Sequence, residues 1–323
     1  MRGVQEVKVH NSRVRFSFSL RRNITVIVGD SGTGKSILYD LVAEHMRLGA
    51  ASGVTVECEK NCVALVDMIW QNQLAETSDS IVFVDEGADY VTSKAFAVQV
   101  RDSDNYYVII TRRPLHQLPY SIDEIYQIKM SGKTHTFEPY YQRDKGYRYG
   151  GGELPGNEEF DALLVEDSES GYRFYAKRFE GSALSCASSN GKDGIYAWLQ
   201  EHEDEKVFVL ADGAAFGSEA ERVLRLQRRH PDRIVICLPE SFEWLILRSG
   251  LVEAEGLQDV LSNTSEHVDS QQFESWEQFY TEYLRVATRD TAQQYSKSHL
   301  SSYYLVPAHA DKVLALISYR NVK

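Results

Sequence analysis

The feature that most constrains this chain is a glycine-rich octapeptide at residues 29–36, Gly-Asp-Ser-Gly-Thr-Gly-Lys-Ser. It fits the pattern G-x-x-x-x-G-K-[ST], in which glycines let the backbone wrap around a phosphate. The mostly apolar residues 23–28 before it predict a buried strand, and residues 36–46 after it have apolar positions at helical spacing. Strand, loop and helix in this order are the context that the motif requires, so the sequence predicts a nucleotide site here.

Each residue type of the octapeptide has a role in holding a nucleoside triphosphate. Backbone N–H groups and the helix N-terminus attract the phosphates, Lys35 reaches the outer phosphates, and Ser36 binds Mg²⁺. A plain glycine-rich turn would not need Lys followed by Ser at its end. The predicted nucleotide-binding residues are Gly29, Asp30, Ser31, Gly32, Thr33, Gly34, Lys35 and Ser36.

An acidic pair after a later strand extends this site. Residues 80–84, Ser-Ile-Val-Phe-Val, predict a strand covered on both faces, and Asp85 and Glu86 follow it directly. We predict that Asp85 joins Ser36 as a Mg²⁺ ligand and that Glu86 polarises the attacking water. The alternative is an ordinary acidic strand end.

A polar pair follows the next predicted strand, residues 106–110. Thr111 and Arg112 stand where a side chain can sense the terminal phosphate, although a plain exit from the strand explains them equally well. The predicted catalytic residues are Lys35, Glu86 and Thr111.

Residues 1 to about 135 resemble ABC-type and related P-loop ATPases. The alternating residues 4–19 predict the N-terminal strand pair of that family, and residues 124–129 its closing strand. The resemblance implies a mostly parallel α/β sheet that binds ATP and Mg²⁺. No LSGGQ-like signature follows Ser36, so head-to-tail hydrolysis in the transporter manner is not expected. The N/T-K-x-D and D-x-x-G motifs of GTPases are also missing, which favours ATP over GTP.

Carboxylates also follow strands that are predicted in the second half of the chain. Glu166, Asp212 and the pair Glu240 and Glu243 each come after an apolar run. Because the carboxyl ends of parallel strands meet at one edge of a sheet, we expect these side chains to converge. Carboxylates gathered there can hold Mg²⁺ for phosphodiester chemistry.

This second pattern resembles the TOPRIM domain of topoisomerases, primases and overcoming-lysogenization-defect (OLD) nucleases. Glu166 matches the glutamate motif and Asp212 the first aspartate of the D-x-D motif, so the resemblance implies that both are metal ligands. Ala214 stands where the second aspartate is expected. The residues that can compensate for it are Glu219, Glu240 and Glu243.

Lys297 is a candidate for the basic residue that OLD-type nucleases place near their metals, the alternative being a solvated surface lysine. The whole chain is also similar to bacterial P-loop proteins labelled translation initiation factor 2, GTPase, but no residues here indicate a role in translation.

Length and periodicity predict two domains, because 323 residues exceed the roughly 100–200 that one domain usually holds. Periodicity is lost across residues 131–159, which include three consecutive glycines at 150–152. We therefore predict a P-loop NTPase domain at 1–135, a linker at 136–159, and a TOPRIM-like α/β domain with C-terminal helices at 160–323.

Composition narrows the environment and the partners. Four cysteines are too few for a disulfide framework, and no apolar run approaches the roughly 18 residues that span a bilayer, so a cytoplasmic protein without a membrane partner is expected. The net charge of −12 disfavours a general polyanion binder, since nucleic acid requires clustered Lys and Arg.

Three functions remain open from the sequence. The first is an ATPase coupled to a metal-dependent nuclease, in the manner of OLD-type defence against phage or mobile DNA. The second is a nucleotide-switched regulatory or adaptor protein with a protein partner and a non-catalytic second domain. The third is a small motor, which would require an oligomer.

Overall fold

The computed structural model describes residues 1–30, 32–144, 146–149 and 160–317. The chain divides into two compact units, Met1–Tyr140 with Ser262–Ser275 and Tyr141–Leu261 with Trp276–Lys323. Both units are built from helices and mixed, mostly parallel sheets, which confirms the predicted α/β class. Within the described ranges, every helix is too short or too polar to cross a membrane.

The elements are numbered in chain order. The strands are β1 (Gln5–His10), β2 (Arg15–Leu20), β3 (Ile24–Ile27), β4 (Thr55–Glu57), β5 (Asn61–Ala64), β6 (Ser80–Val84), β7 (Tyr106–Ile110), β8 (Ile125–Ser131), β9 (Thr134–Pro139), β10 (Arg148–Tyr149), β11 (Ala162–Val165), β12 (Ser185–Ser188), β13 (Val207–Leu210) and β14 (Ile234–Cys237). The helices are α1 (Lys35–Leu48), α2 (Trp70–Ala75), α3 (Lys94–Arg101), α4 (Ser170–Arg178), α5 (Lys192–Glu201), α6 (Gly217–Arg229), α7 (Phe242–Arg248), α8 (Leu257–Ser262), α9 (Thr264–His267), α10 (Trp276–Ala287), α11 (Ser302–Leu305) and α12 (Pro307–Leu314).

The sheet of the first unit has the order β4-β1-β2-β9-β8-β3-β7-β6-β5. From β8 to β5 the neighbours run parallel, and β3, β6 and β7 are buried along their whole length. Continuous apolar runs of this kind are typical of parallel strands covered on both faces. The β1–β2 hairpin is antiparallel and alternates buried with more exposed residues, as the sequence predicts.

Strands β4, β5 and β9 of the first unit, and a returning segment, are not predicted from the sequence. Strand β9 pairs antiparallel with β8 and parallel with β2, and so joins the hairpin to the parallel strands. The segment Ser262–Ser275 returns to this unit from far along the chain, and the N–H of Gly3 donates to the carbonyl of Ser265 at 2.8 Å. The returning segment is therefore joined to the chain just before β1.

The sheet of the second unit has the order β10-β14-β13-β11-β12. Strands β11 to β14 are parallel, and the short β10 adds an antiparallel edge. The sequence predicts the buried strands β11, β13 and β14 but misses β12, because Ser-Cys-Ala-Ser forms an edge strand without an apolar run. Chain order reverses between β11 and β13, a switch point where α/β sheets open a crevice for ligands.

Gly213, three residues after the end of β13, packs too closely against the backbone to accept a side chain. A Cβ built on it would lie 2.8 Å from the carbonyl oxygen of Leu238 and 2.9 Å from that of Pro239. We expect Gly213→Ala to lower the free energy of unfolding of the second unit by about 1–3 kcal/mol, because both obstacles are backbone atoms. Urea unfolding followed by tryptophan fluorescence measures this. The tryptophans of the second unit are Trp198, Trp244 and Trp276.

Gly87→Ala is the matched control, since the nearest atom to a Cβ there is a carboxylate oxygen of Asp85 at 3.9 Å, an ordinary contact distance. Equal urea midpoints for Gly213→Ala and the unchanged chain would show that the turn after β13 accommodates a Cβ at little cost. The turn would then not fix the position of Asp212.

Candidate functional site

The octapeptide forms the loop between β3 and α1 at the carboxyl edge of the first sheet. The φ angles of Gly29, Gly32 and Gly34 are 118°, 86° and 90°, values that residues with a Cβ rarely adopt. Helix α1 begins at Lys35, with Gly34 as its N-cap residue. The loop conformation therefore requires glycine at these three positions. Ser31 lies outside the described residues.

Lys35 points back into this loop. Its side chain is 4% exposed, and its Nζ donates to the carbonyl oxygens of Gly29 at 2.7 Å and Asp30 at 2.6 Å. The hydroxyl of Thr33 also donates to the carbonyl of Asp30, at 3.0 Å. A buried ammonium requires acceptors of this kind. These two carbonyl oxygens hold the ammonium of Lys35 against the loop. Phosphate oxygens can replace them as its hydrogen-bond acceptors.

Strand β7 lies between β3 and β6, so the ends of all three strands adjoin the loop. Asp85 follows β6, and its Oδ1 is buried with no hydrogen-bond partner among the described residues. Ser36 is exposed in the first turn of α1. A buried carboxylate oxygen without a donor is the feature that a cation would satisfy, and hydroxyl and carboxylate oxygens suit Mg²⁺. The residues present therefore fit the metal of a bound nucleotide.

Glu86 lies between two positive charges. Its Oε1 is 2.5 Å from Nε of Arg112, and its Oε2 is 3.9 Å from Nζ of Lys35. Thr111 is buried, and its hydroxyl accepts the N–H of Arg113 at 3.0 Å. The structure thus brings Glu86, Lys35 and Arg112 together. The hydroxyl of Thr111 is instead hydrogen-bonded to the backbone. The phosphate-sensing role of Thr111 remains a prediction.

His135, on β9, lies against this loop, and the sequence analysis does not select it. A Cβ built on Gly34 would be 3.4 Å from Nδ1 of His135, whose ring packs edge-on against Phe16. Nδ1 is buried without a hydrogen-bond partner in the described part of the chain, and burial lowers the pKa of the ring. A neutral imidazole therefore backs the last glycine of the loop. Its strand lacks the apolar alternation that would have identified it.

In the second unit, Glu166 and Asp212 lie side by side at the switch point. They follow β11 and β13, which are paired in parallel with Val165 opposite Leu210. The backbone N–H of Asp212 donates to Oε2 of Glu166 at 2.8 Å. The structure therefore brings both predicted metal ligands to one point of the sheet edge.

Three further charged side chains surround this pair. Lys297 donates from Nζ to Oε1 of Glu277 at 2.9 Å, and the hydroxyl of Tyr295 donates to Oε1 of Glu243 at 2.6 Å. Glu243 lies on α7 and Glu277 in the first turn of α10. Glu277 is not selected from the sequence, because it stands in an aromatic helix that has only a packing role there.

Burial and mutual repulsion raise the pKa of three of these carboxylates, Glu166, Asp212 and Glu243. Burial raises the pKa of Glu166 to about 7, and the charge of Glu277 adds to the shift. Burial, with the charges of Glu277, Glu166 and Glu243, raises the pKa of Asp212 well above its usual range. Burial disfavours the charged form of Lys297, but the surrounding carboxylates outweigh it and raise the pKa of the ammonium. The cluster contains more carboxylates than ammonium groups. A divalent cation would offset this excess of acidic groups.

Position 214, where the second aspartate is expected, is buried. Ala214 is 2% exposed in the tight turn Gly213–Ala215, and its N–H donates to the carbonyl of Glu240 at 3.2 Å. Of the residues that can compensate, Glu219 forms an ion pair with Arg222. Glu243 is the one whose charge acts on Asp212.

Neither a comparison with protein-family models nor a search of curated proteins finds a match. The chemistry of both sites therefore rests on the residues that build them.

The raised carboxylate pKa values make the stability of the metal-free second unit depend on pH. Between pH 4.5 and 7 the folded state holds a proton on Glu166 that the unfolded chain releases, so the free energy of unfolding falls as pH rises through this range. We expect Glu166→Gln to reduce this fall by at least about 1 kcal/mol, because glutamine does not titrate.

Thermal unfolding in the presence of a chelator between pH 5 and 8, followed by tryptophan fluorescence, measures the effect. Glu221→Gln is the control, since Glu221 is exposed and paired with Arg225 on α6. A pH profile of Glu166→Gln that superimposes on that of Glu221→Gln would contradict the assignment of the proton to Glu166.

Proposed function

We propose that this chain is an ATPase coupled to a metal-dependent nuclease, with a P-loop site in the first unit and a TOPRIM-like site in the second. The observation that carries the proposal is the presence of both sites in one chain, each at the carboxyl edge of its own parallel sheet. One is the glycine loop beside Asp85, and the other is the pair Glu166 and Asp212. This order of sites resembles OLD-type proteins, which suggests a setting in defence against phage or mobile DNA.

The first site has the groups that ATP binding and hydrolysis need. The N–H groups of the loop and the ammonium of Lys35 bind phosphate oxygens, and Ser36 with Asp85 holds Mg²⁺. Bound Mg²⁺ neutralises charge on the transferred phosphoryl group. Glu86 orients the attacking water, and its ion pairs with Arg112 and Lys35 hold the carboxylate beside the loop.

The second site has the groups that phosphodiester hydrolysis needs. Glu166 and Asp212 would hold a divalent cation, and such a cation would supply positive charge to the scissile phosphate and to an attacking water molecule. Lys297, held by Glu277, balances the negative charge of the phosphate oxygens. The net charge of −12 disfavours general binding of DNA, so contact with DNA requires a local site.

A regulatory or adaptor protein is the second candidate function, and Ala214 favours it. The turn that should carry a second aspartate is buried and holds a methyl group instead. In that case the first unit binds ATP as a switch, and the second unit binds a protein partner without cleaving DNA.

Replacing Lys35 tests the first site. We expect Lys35→Ala to weaken ATP binding at least about 100-fold, because the loop loses its only ammonium among the residues that the structure describes. Glu86→Gln should retain ATP binding and lose hydrolysis by a similar factor. Titration calorimetry with ATP and GTP, and phosphate release, measure the two effects.

Lys60→Ala is the control, since Nζ of Lys60 pairs with Asp79 on an exposed part of the first unit. Circular dichroism verifies that each variant is folded. Tight ATP binding by folded Lys35→Ala would show that the octapeptide is not the nucleotide site.

Cleavage of DNA tests the second site. Supercoiled and linear DNA are incubated with the purified protein, ATP, and Mg²⁺ or Mn²⁺. We expect cleavage that Glu166→Gln and Asp212→Asn each reduce at least about 100-fold, since both remove an anionic ligand. Glu221→Gln should cleave normally. ATP binding without cleavage by the unchanged chain would favour the adaptor function, and cleavage by both site variants would place the nuclease elsewhere.

A further inference from the structure

The metal site of the second unit needs a ligand that its own strands do not supply. Strands β11 and β13 deliver Glu166 and Asp212, while the turn after β13 carries the buried Ala214. A carboxylate from another element can complete the ligand set only if it reaches the same edge of the sheet.

Helix α10 reaches this edge from outside the alternating strands and helices. It packs against α7 and against the turn Gly213–Ala215, next to Asp212. Its second residue, Glu277, accepts a hydrogen bond from Nζ of Lys297 at 2.9 Å. The charge of Glu277 raises the pKa of both Asp212 and Glu166. The packing of α10 against the turn therefore brings this carboxylate close enough to both residues for its charge to act on them.

A second observation points to a cation in the same place. Glu243 is 1% exposed, and although its Oε1 accepts the hydroxyl of Tyr295, its Oε2 is buried without a hydrogen-bond partner in the described ranges. Its charge acts on Asp212 and on Lys297. A buried carboxylate oxygen is costly without a donor or a cation. Lys297, whose charge acts on Glu243, donates its hydrogen bond to Glu277.

We propose that Glu277 is the third carboxylate ligand, with Glu166 and Asp212, of a divalent-cation site in the second unit. The inference rests on the proposed function, because it concerns the same metal. Lys297 supplies positive charge to Glu277 in the metal-free chain, and a cation takes over that role when it binds. Hard carboxylate oxygens select Mg²⁺ or Mn²⁺.

Binding of Mn²⁺ tests this assignment without any activity assay. The full chain carries Asp85→Asn in every sample, so that the first unit does not contribute a carboxylate ligand, and free Mn²⁺ is measured by electron paramagnetic resonance. We expect Glu277→Gln to weaken Mn²⁺ binding at least tenfold. Glu282→Gln is the matched control, because Glu282 lies on the same helix, exposed and paired with Arg285 at 2.6 Å, and should bind within twofold of the parent.

Two further variants separate the possible outcomes. Glu166→Gln reports on the site itself, and Glu277→Asp keeps the charge and the pairing with Lys297 while it shortens the reach by one methylene. Loss of Mn²⁺ in Glu166→Gln, with partial loss in a folded Glu277→Asp, supports the inference. Loss in Glu166→Gln while both changes at Glu277 match Glu282→Gln overturns the role of Glu277 alone. Failure of the parent chain to bind Mn²⁺ overturns the proposed metal site together with this inference.

Discussion

Burial of the parallel strands on both faces decides where this chain can place polar side chains. Strands β3, β6 and β7 in the first unit and β11 and β13 in the second are buried at every residue. A polar side chain within such a strand loses its contact with water and needs a partner inside the protein, as Thr25 on β3 has in Glu124. None of these five strands contains a charged residue. Charged side chains therefore begin where the strands end, and parallel pairing brings those ends to one edge. Both candidate sites are consequences of this single constraint.

The buried charges at the two sheet edges are stabilised in different ways. In the first unit, a buried ammonium is satisfied by backbone carbonyls, and a carboxylate lies between that ammonium and Arg112. In the second unit, four carboxylates gather near Lys297, and burial together with mutual repulsion raises the pKa of three of them, Glu166, Asp212 and Glu243. The first edge offers positive charge to an anion and its counter-ion. The second edge has fewer positive groups than carboxylates. A phosphate would complete the former and a divalent cation the latter.

The elements that could be predicted from the sequence are those with a strong local signal. Buried strands show as unbroken apolar runs, and the positions of Asp85, Glu166 and Asp212 follow from the ends of those runs. Strand β12 was missed because its four small residues lie at an edge that needs no apolar run, and β9 because only His135 among its six residues is buried. The two-residue β10 is too short to show any period. In each case pairing with a neighbouring strand, which a local pattern does not record, determines the structure.

The same distinction applies to side chains at the sites. Asp212 can be found from the sequence because its own strand places it, whereas Glu277 is placed by the packing of α10 against the turn Gly213–Ala215. That packing also offers a structural reason for a small residue at position 214. A buried alanine leaves room for a helix to approach the turn closely, and an aspartate there would have to be buried beneath it. The small residue at position 214 and the approach of α10 to this turn are therefore parts of one packing arrangement.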